Sequence, residues 1–176
     1  MQIPTSRISE RVRLRSVTEP DDNAFLEELY FSRREDLHGL FANPEQTRQL
    51  VLMQERAQTI GYKEEFPDAT YEVIIFDEHR AGRIVIDRSG STTAIVDIAL
   101  LPLFRNRGIG SLILDSVLEE CRTGKRQCKL SVAKTSQAIH LYLRKGFYME
   151  QDLETHLLMR WIPGKKIDDV AAIRTR

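Results

Sequence analysis

Two cysteines, Cys121 and Cys128, are too few for a disulfide framework. Cys121 falls on the apolar side of a helical pattern and Cys128 opens a strand pattern, so both read as buried free thiols. The four histidines, His38, His79, His140 and His156, are scattered without metal-ligand spacing, and two cysteines do not complete a set with them, so no metal is expected. No Gly-Lys-Ser or Gly-Lys-Thr completes a P-loop, and no G-x-G-x-x-G is present for a dinucleotide fold. Neither sign of charge dominates: 26 Lys and Arg balance 26 Asp and Glu, so no global field favours nucleic acid or an anionic membrane. No apolar run approaches the ~20 residues of a membrane span, and the polar stretch of residues 1–7 lacks a signal-peptide core. A cytoplasmic protein with no nucleic-acid or membrane partner is expected. At 176 residues the chain suits one domain with a sizeable core.

What the chain does have is Arg105-Asn106-Arg107-Gly108-Ile109-Gly110, set between a strand pattern and a helix pattern. The strand, residues 94–101, is nearly all apolar and ends at Pro102, as expected where both faces are covered. In the helix, Ile109, Leu112, Ile113, Val117, Leu118 and Cys121 recur at three- and four-residue steps until Gly124. A turn with two glycines lets backbone pass close to a ligand, and the first N–H groups of a helix have no intrahelical partner. Pyrophosphate suits such a site. On these six residues alone, a plain tight turn is an equal reading.

Around that centre the pattern predicts a strand at 12–17, a helix from Pro20, and a second helix entered by Asn43-Pro44-Glu45 and ended by Gly61. Strands follow at 71–76 and 82–87, joined through 77–81, and then the central strand. A short strand at 129–132, a helix carrying Tyr142, and a closing hairpin of 147–150 and 155–161 complete the order.

Downstream stands Ala138-Ile139-His140-Leu141-Tyr142-Leu143-Arg144-Lys145-Gly146-Phe147. The R-x-x-G-x-G that opens one helix, followed by A-x-x-L-Y-x-x-x-G-F, resembles the GNAT superfamily of acetyl-CoA-dependent N-acetyltransferases over residues 12–162. The resemblance implies an α/β (α+β) GNAT fold. Its mixed central sheet has six to seven strands flanked by about four helices, with splayed central strands. It also implies a single domain over 1–162 and a tail, 163–176, that is peripheral or disordered.

The implied activity is transfer of an acetyl group from acetyl-CoA, the acyl-donor cosubstrate, to a primary amine by direct attack in a ternary complex. A non-catalytic acyl-CoA-binding module on the same fold is the alternative. By resemblance, Leu100, Leu101 and Pro102 border the pantetheine arm, and the amides of Arg107, Gly108, Ile109, Gly110 and Ser111 take the diphosphate. Arg105 stabilises the turn or touches a phosphate. Many members carry asparagine where this chain has Lys134-Thr135-Ser136-Gln137, which leaves Ser136 or Thr135 as helix cap and cofactor contact. Tyr142 stands where the family places the acid that protonates the departing thiolate.

An ordinary alkyl amine has a pKa of ~10, so a base should take its proton before attack. Asp97 is the lone charge in the central strand, and a buried carboxylate needs either a partner or a job. Asp87 and Glu72 are weaker candidates. A bulge in that strand would shift the face Asp97 occupies. The acceptor, a small-molecule or peptide amine, meets residues 31–38 and the closing hairpin by the same resemblance. Trp161 near the exit, with a tail the fold does not require, points to a homodimer through the hairpin or the C-terminal arm.

Overall fold

The computed structural model describes residues 5–7, 9–34 and 43–165. In chain order the elements are β1 (Thr5–Arg7), β2 (Val12–Ser16), α1 (Asn23–Phe31), α2 (Pro44–Glu65), β3 (Thr70–Phe76), β4 (His79–Asp87) and β5 (Thr92–Leu100). After a 3-10 turn, Pro102–Phe104, come α3 (Ile109–Thr123), β6 (Gln127–Ala133), α4 (Ala138–Arg144), β7 (Tyr148–Asp152) and β8 (His156–Trp161). One mixed sheet runs β1-β2-β3-β4-β5-β6-β8-β7. Strands β2 to β8 make the expected seven, and the three-residue β1 adds to the edge beside β2. Residues 166–176 of the expected tail lie outside the described residues.

Only β5 and β6 are parallel, and their pairing stops at Ile95↔Leu130 although β5 continues to Leu100 and β6 to Ala133. Beyond that pair the two strands present unpaired edges to each other, so the sheet opens as a fork at its centre. The bulge expected in β5 is present: register passes from Val85↔Asp97 to Ile86↔Ile95 and leaves Val96 unmatched. Ile95 accordingly joins the core beneath α3, while Asp97, two residues on, bonds to Arg33 behind α1.

The sheet buries a layer on each face. Beneath α3 and α4 lie Leu14, Ile84, Ile113, Leu118, Tyr142 and Phe147. On the other face Phe25 and Leu29 of α1 pack on Val73, Ile75 and Ala99. The backbones of β4 and β5 approach closely at Gly82, where an added Cβ would fall 2.0 Å from the Ala99 carbonyl oxygen.

Three boundaries differ by three residues or more from the expected ones, and one turn is new. Helix α1 starts at Asn23 rather than Pro20, because 20–22 form a turn whose Asp22 carboxylate accepts from the Thr18 amide and the Arg15 guanidinium instead of capping the helix. Helix α2 runs through Gly61, which keeps helical backbone, and stops at Phe66, where the following Pro67 disfavours α geometry. Its Asn43 cap is as expected, the side chain accepting from the Glu45 amide at 2.9 Å. Strand β4 begins at His79, since Asp77 and Glu78 both adopt positive φ and close a two-residue hairpin. The 3-10 turn after β5 carries no periodicity that would have announced it.

Candidate active site

The turn after β5 is fixed from within. Arg105 Nε donates to the Leu100 carbonyl at 3.0 Å, and its Nη2 reaches the Ser32 carbonyl at 3.5 Å. Of the two expected roles for Arg105, stabilising the turn is the one these hydrogen bonds support. Asn106 and Gly108 take φ of 58° and 79°, and Gly108 is the residue before α3. Leu112 donates to the Gly108 carbonyl at 3.0 Å, so the amides of Ile109, Gly110 and Ser111 precede the first intrahelical donor. The Arg107 guanidinium lies 5.8 Å from the Phe104 ring centroid, on the exposed side of the same turn. Gly110 lets α4 close in: a Cβ there would meet Leu141 at 3.4 Å.

This turn opens beside the fork. Leu100 and Leu101 are half-buried and packed against the α3-side core, and exposed Pro102 follows them. On the opposite prong, the Ser136 hydroxyl accepts from the Ala138 amide at 3.2 Å, although the N-cap of α4 is Gln137, whose side chain makes no capping bond. One turn later α4 presents Tyr142, only 6% exposed, its ring edge-on to Phe147 at 5.8 Å. Burial first, and then the negative charge of Asp97, push the Tyr142 phenol up to about 12, against a smaller opposing pull from Arg33. No hydrogen bond engages its hydroxyl among the described residues.

Asp97 lies on the α1 and α2 side of the sheet. Its Oδ2 accepts from Arg83 Nη2 at 2.7 Å and from Arg33 Nη1 at 3.1 Å. The carboxylate expected as a base is therefore held by two cations, one of them fully buried. Tyr62 of α2 senses the same group: burial, then Asp97, raise its phenol to about 12 while both arginines lower it. Glu72, whose burial raises its pKa, and Asp87, which accepts from the Ser89 amide at 2.8 Å, do not line the cleft at the fork.

That cleft, about 590 Å³, lies on the α2 side and is lined by Tyr62, Glu65, Val96, Ser131, His156 and Leu158 among others. Of the acceptor-wall residues expected at 31–38, 35–38 lie outside the described residues. Arg83, Tyr62 and His156 carried no role in the sequence reading. Arg83 had a usable signal, a lone cation among the apolar residues of the strand expected at 82–87. Tyr62 and His156 had none, because α2 and β8 reach the fork only through tertiary packing.

Residues 67–149 match the family model of the acetyltransferase (GNAT) domain. The PaiA N-acetyltransferase of Thermoplasma acidophilum, solved with coenzyme A, aligns at a TM-score of 0.62 and 16% identity over 86% of this chain and 98% of that one. The Salmonella typhimurium acetyltransferase that modifies the N-terminal serine of ribosomal protein L7/L12 aligns at 0.60 and 17% identity, over 89% and 96%. RimL, a ribosomal L7/L12 α-N-protein acetyltransferase, solved with coenzyme A, aligns at 0.59 and 17%, over 91% and 98%. No curated protein matches the chain at a significant level. The chain has the fold of these acetyltransferases, and within it residues 67–149 carry the match to the GNAT domain. Among the described residues no helix is long and apolar enough to cross a membrane, and no cluster of three His, Cys, Asp or Glu is placed to hold a metal.

Proposed function

We propose that the protein moves an acetyl group from acetyl-CoA to a primary amine by direct attack in a ternary complex, and that residues 1–162 are the unit that does so in the cytoplasm. The fork carries this reading. Its unpaired strand edges can pair with an extended pantetheine arm, bordered by Leu100, Leu101 and Pro102. At its mouth the amides of Arg107, Gly108, Ile109, Gly110 and Ser111 can receive a diphosphate, since Gly108 adopts a left-handed conformation open to close approach. Ser136 borders the other prong. The residues present fit the group, which would supply the activated acyl carbon.

Tyr142 is on the α3 and α4 face, whereas Asp97 and the 590 Å³ cleft are on the α2 face. The amine thus enters from one side of the sheet, and charge leaving with sulfur develops on the other. A phenol pushed up to about 12 stays protonated at neutral pH and can donate to that sulfur. Burial weakens it as an acid, but the same burial raises the proton affinity of a thiolate beside it, so the transfer remains matched. Asp97 we assign to holding Arg33 and Arg83 in place, because both guanidiniums donate to its Oδ2. Trp161, offered by the sequence as a dimer contact, is buried in the core with Arg122 5.6 Å from its ring, so a homodimer through the closing hairpin or the C-terminal arm would not rest on it.

Tyr142→Phe keeps the ring and removes the donor. With the best acceptor from a panel of amines, turnover should fall about 10²-fold or more while acetyl-CoA affinity changes little. Equal losses in both would assign Tyr142 to packing.

A further inference from the structure

On the acetyltransferase reading a group at the α2-face cleft frees the attacking amine of its proton; of the two carboxylates that line the cleft, Glu65 and Glu150, one is already committed, as are Asp97 and Asp152 nearby. Asp97 is shared by Arg33 and Arg83. Glu150 is gripped by Arg160 at 2.5 and 2.8 Å. Asp152, beside the hairpin, is paired with Lys134 at 2.5 Å. Two proton acceptors remain, Glu65 at the end of α2 and His156 at the start of β8.

Register places His156 along the open stretch of the fork. β5 and β6 part after Leu130, and β8 follows the freed part of β6 through Ser131↔Leu158, Val132↔Leu157 and Ala133↔His156. Leu157 and Met159 point into the α3-side core, so alternation turns His156, Leu158 and Arg160 to the α2 face, where all three line the cleft. The ring is anchored through Nδ1, which lies 2.8 Å from the Thr155 hydroxyl. A hydroxyl can accept as readily as donate, and if Nδ1 carries the proton, the Nε2 lone pair is free. The side chain is also solvent-exposed, which gives a captured proton a way out.

We propose that His156 is the general base of this site, with Thr155 fixing its Nδ1–H tautomer; the proposal rests on the acetyltransferase reading above. His156 Nε2 takes a proton from the bound ammonium and leaves a nitrogen lone pair. The N–C bond then forms and the C–S bond breaks. Tyr142 donates its hydroxyl proton to the sulfur and regains one from the second proton shed by nitrogen, while His156 returns its own to solvent. The charges around the imidazole are Glu65 of α2, Lys129 of β6, Glu150 of β7 and Arg160 of β8, with the Lys134–Asp152 pair at the hairpin. A base must be unprotonated to accept a proton, so the rate should have an acid limb that depends on His156.

The test compares pH–rate profiles of wild type, His156→Gln and Glu65→Gln with the best amine of a panel. His156→Gln should lose about 10²-fold in kcat/KM and its acid limb, with acetyl-CoA affinity kept, while Glu65→Gln keeps the limb. An active wild type whose limb survives in His156→Gln overturns the proposal alone, and loss of the limb in Glu65→Gln transfers the role to that residue. A wild type that acetylates no amine fails the parent reading and this one with it. Independently of turnover, nitrogen NMR of the unliganded protein should show the His156 Nδ1–H tautomer, lost in Thr155→Val. A dominant Nε2–H tautomer would overturn the assignment.

Discussion

At Asp97 one carboxylate is shared by two guanidiniums, and the buried one, Arg83, makes its ion pair with Asp97. Asp97→Asn should therefore cost about 3 kcal/mol of stability in urea unfolding, since removing one member of a buried pair strands the other. On the present account the variant keeps the acid limb of the pH–rate profile. Loss of that limb with stability intact would restore Asp97 as the base. The two tyrosines beside this group set a second expectation. Tyr62 and Tyr142 are held at about 12 in the folded chain, against ~10 when unfolded. The unfolded chain gives up these protons first, so their contribution to stability is complete below pH ~10 and is lost as pH rises from there through about 12. Melting temperature followed between pH 8 and 12 should fall less steeply in Tyr142→Phe than in wild type. Parallel curves would mean that the phenol is more hydrated than its 6% exposure implies.

Between elements, the close pairing of β4 with β5 is what brings Arg83 to Asp97. Gly82→Ala would put a methyl carbon 2.0 Å from the Ala99 oxygen, which neither backbone can yield without breaking the ladder. A loss of about 3 kcal/mol, or a melting temperature roughly 10 °C lower, is expected. A melting temperature within a degree or two of wild type would show that the strands can separate there at little cost. Most elements were legible in the sequence because periodicity reports burial: α3 displays its apolar stripe, and the run before Pro102 announces a covered strand. The turn at Gly108 and the cap at Asn43 were legible because local backbone chemistry dictates them. What was hidden depended on long-range geometry. Nothing near Gly61 shows that α2 continues to Glu65, and nothing near His156 shows that β8 flanks the fork. Asp97 stood out as an isolated charge, but its partners Arg33 and Arg83 lie 64 and 14 residues away, and only folding makes it a shared anchor.

For the molecule as a whole, the central claim is a division of labour across an open sheet. On the reading proposed above, the glycine turn and Tyr142 serve the donor on one face, while the cleft carrying His156 serves the acceptor on the other. The most direct measurement mixes purified protein, acetyl-CoA and, in separate reactions, a polyamine, an amino sugar, an amino acid and a peptide with a free N-terminus. Free CoA and acetylated product are followed together. The account predicts that at least one class raises CoA release well above the acceptor-free rate with product in equal amount, and that Gly108→Val, whose β-branched side chain resists a φ of 79°, abolishes it. CoA release that no amine accelerates, from protein shown by melting shift to bind acetyl-CoA, would contradict the claim and leave an acyl-CoA-binding module in its place.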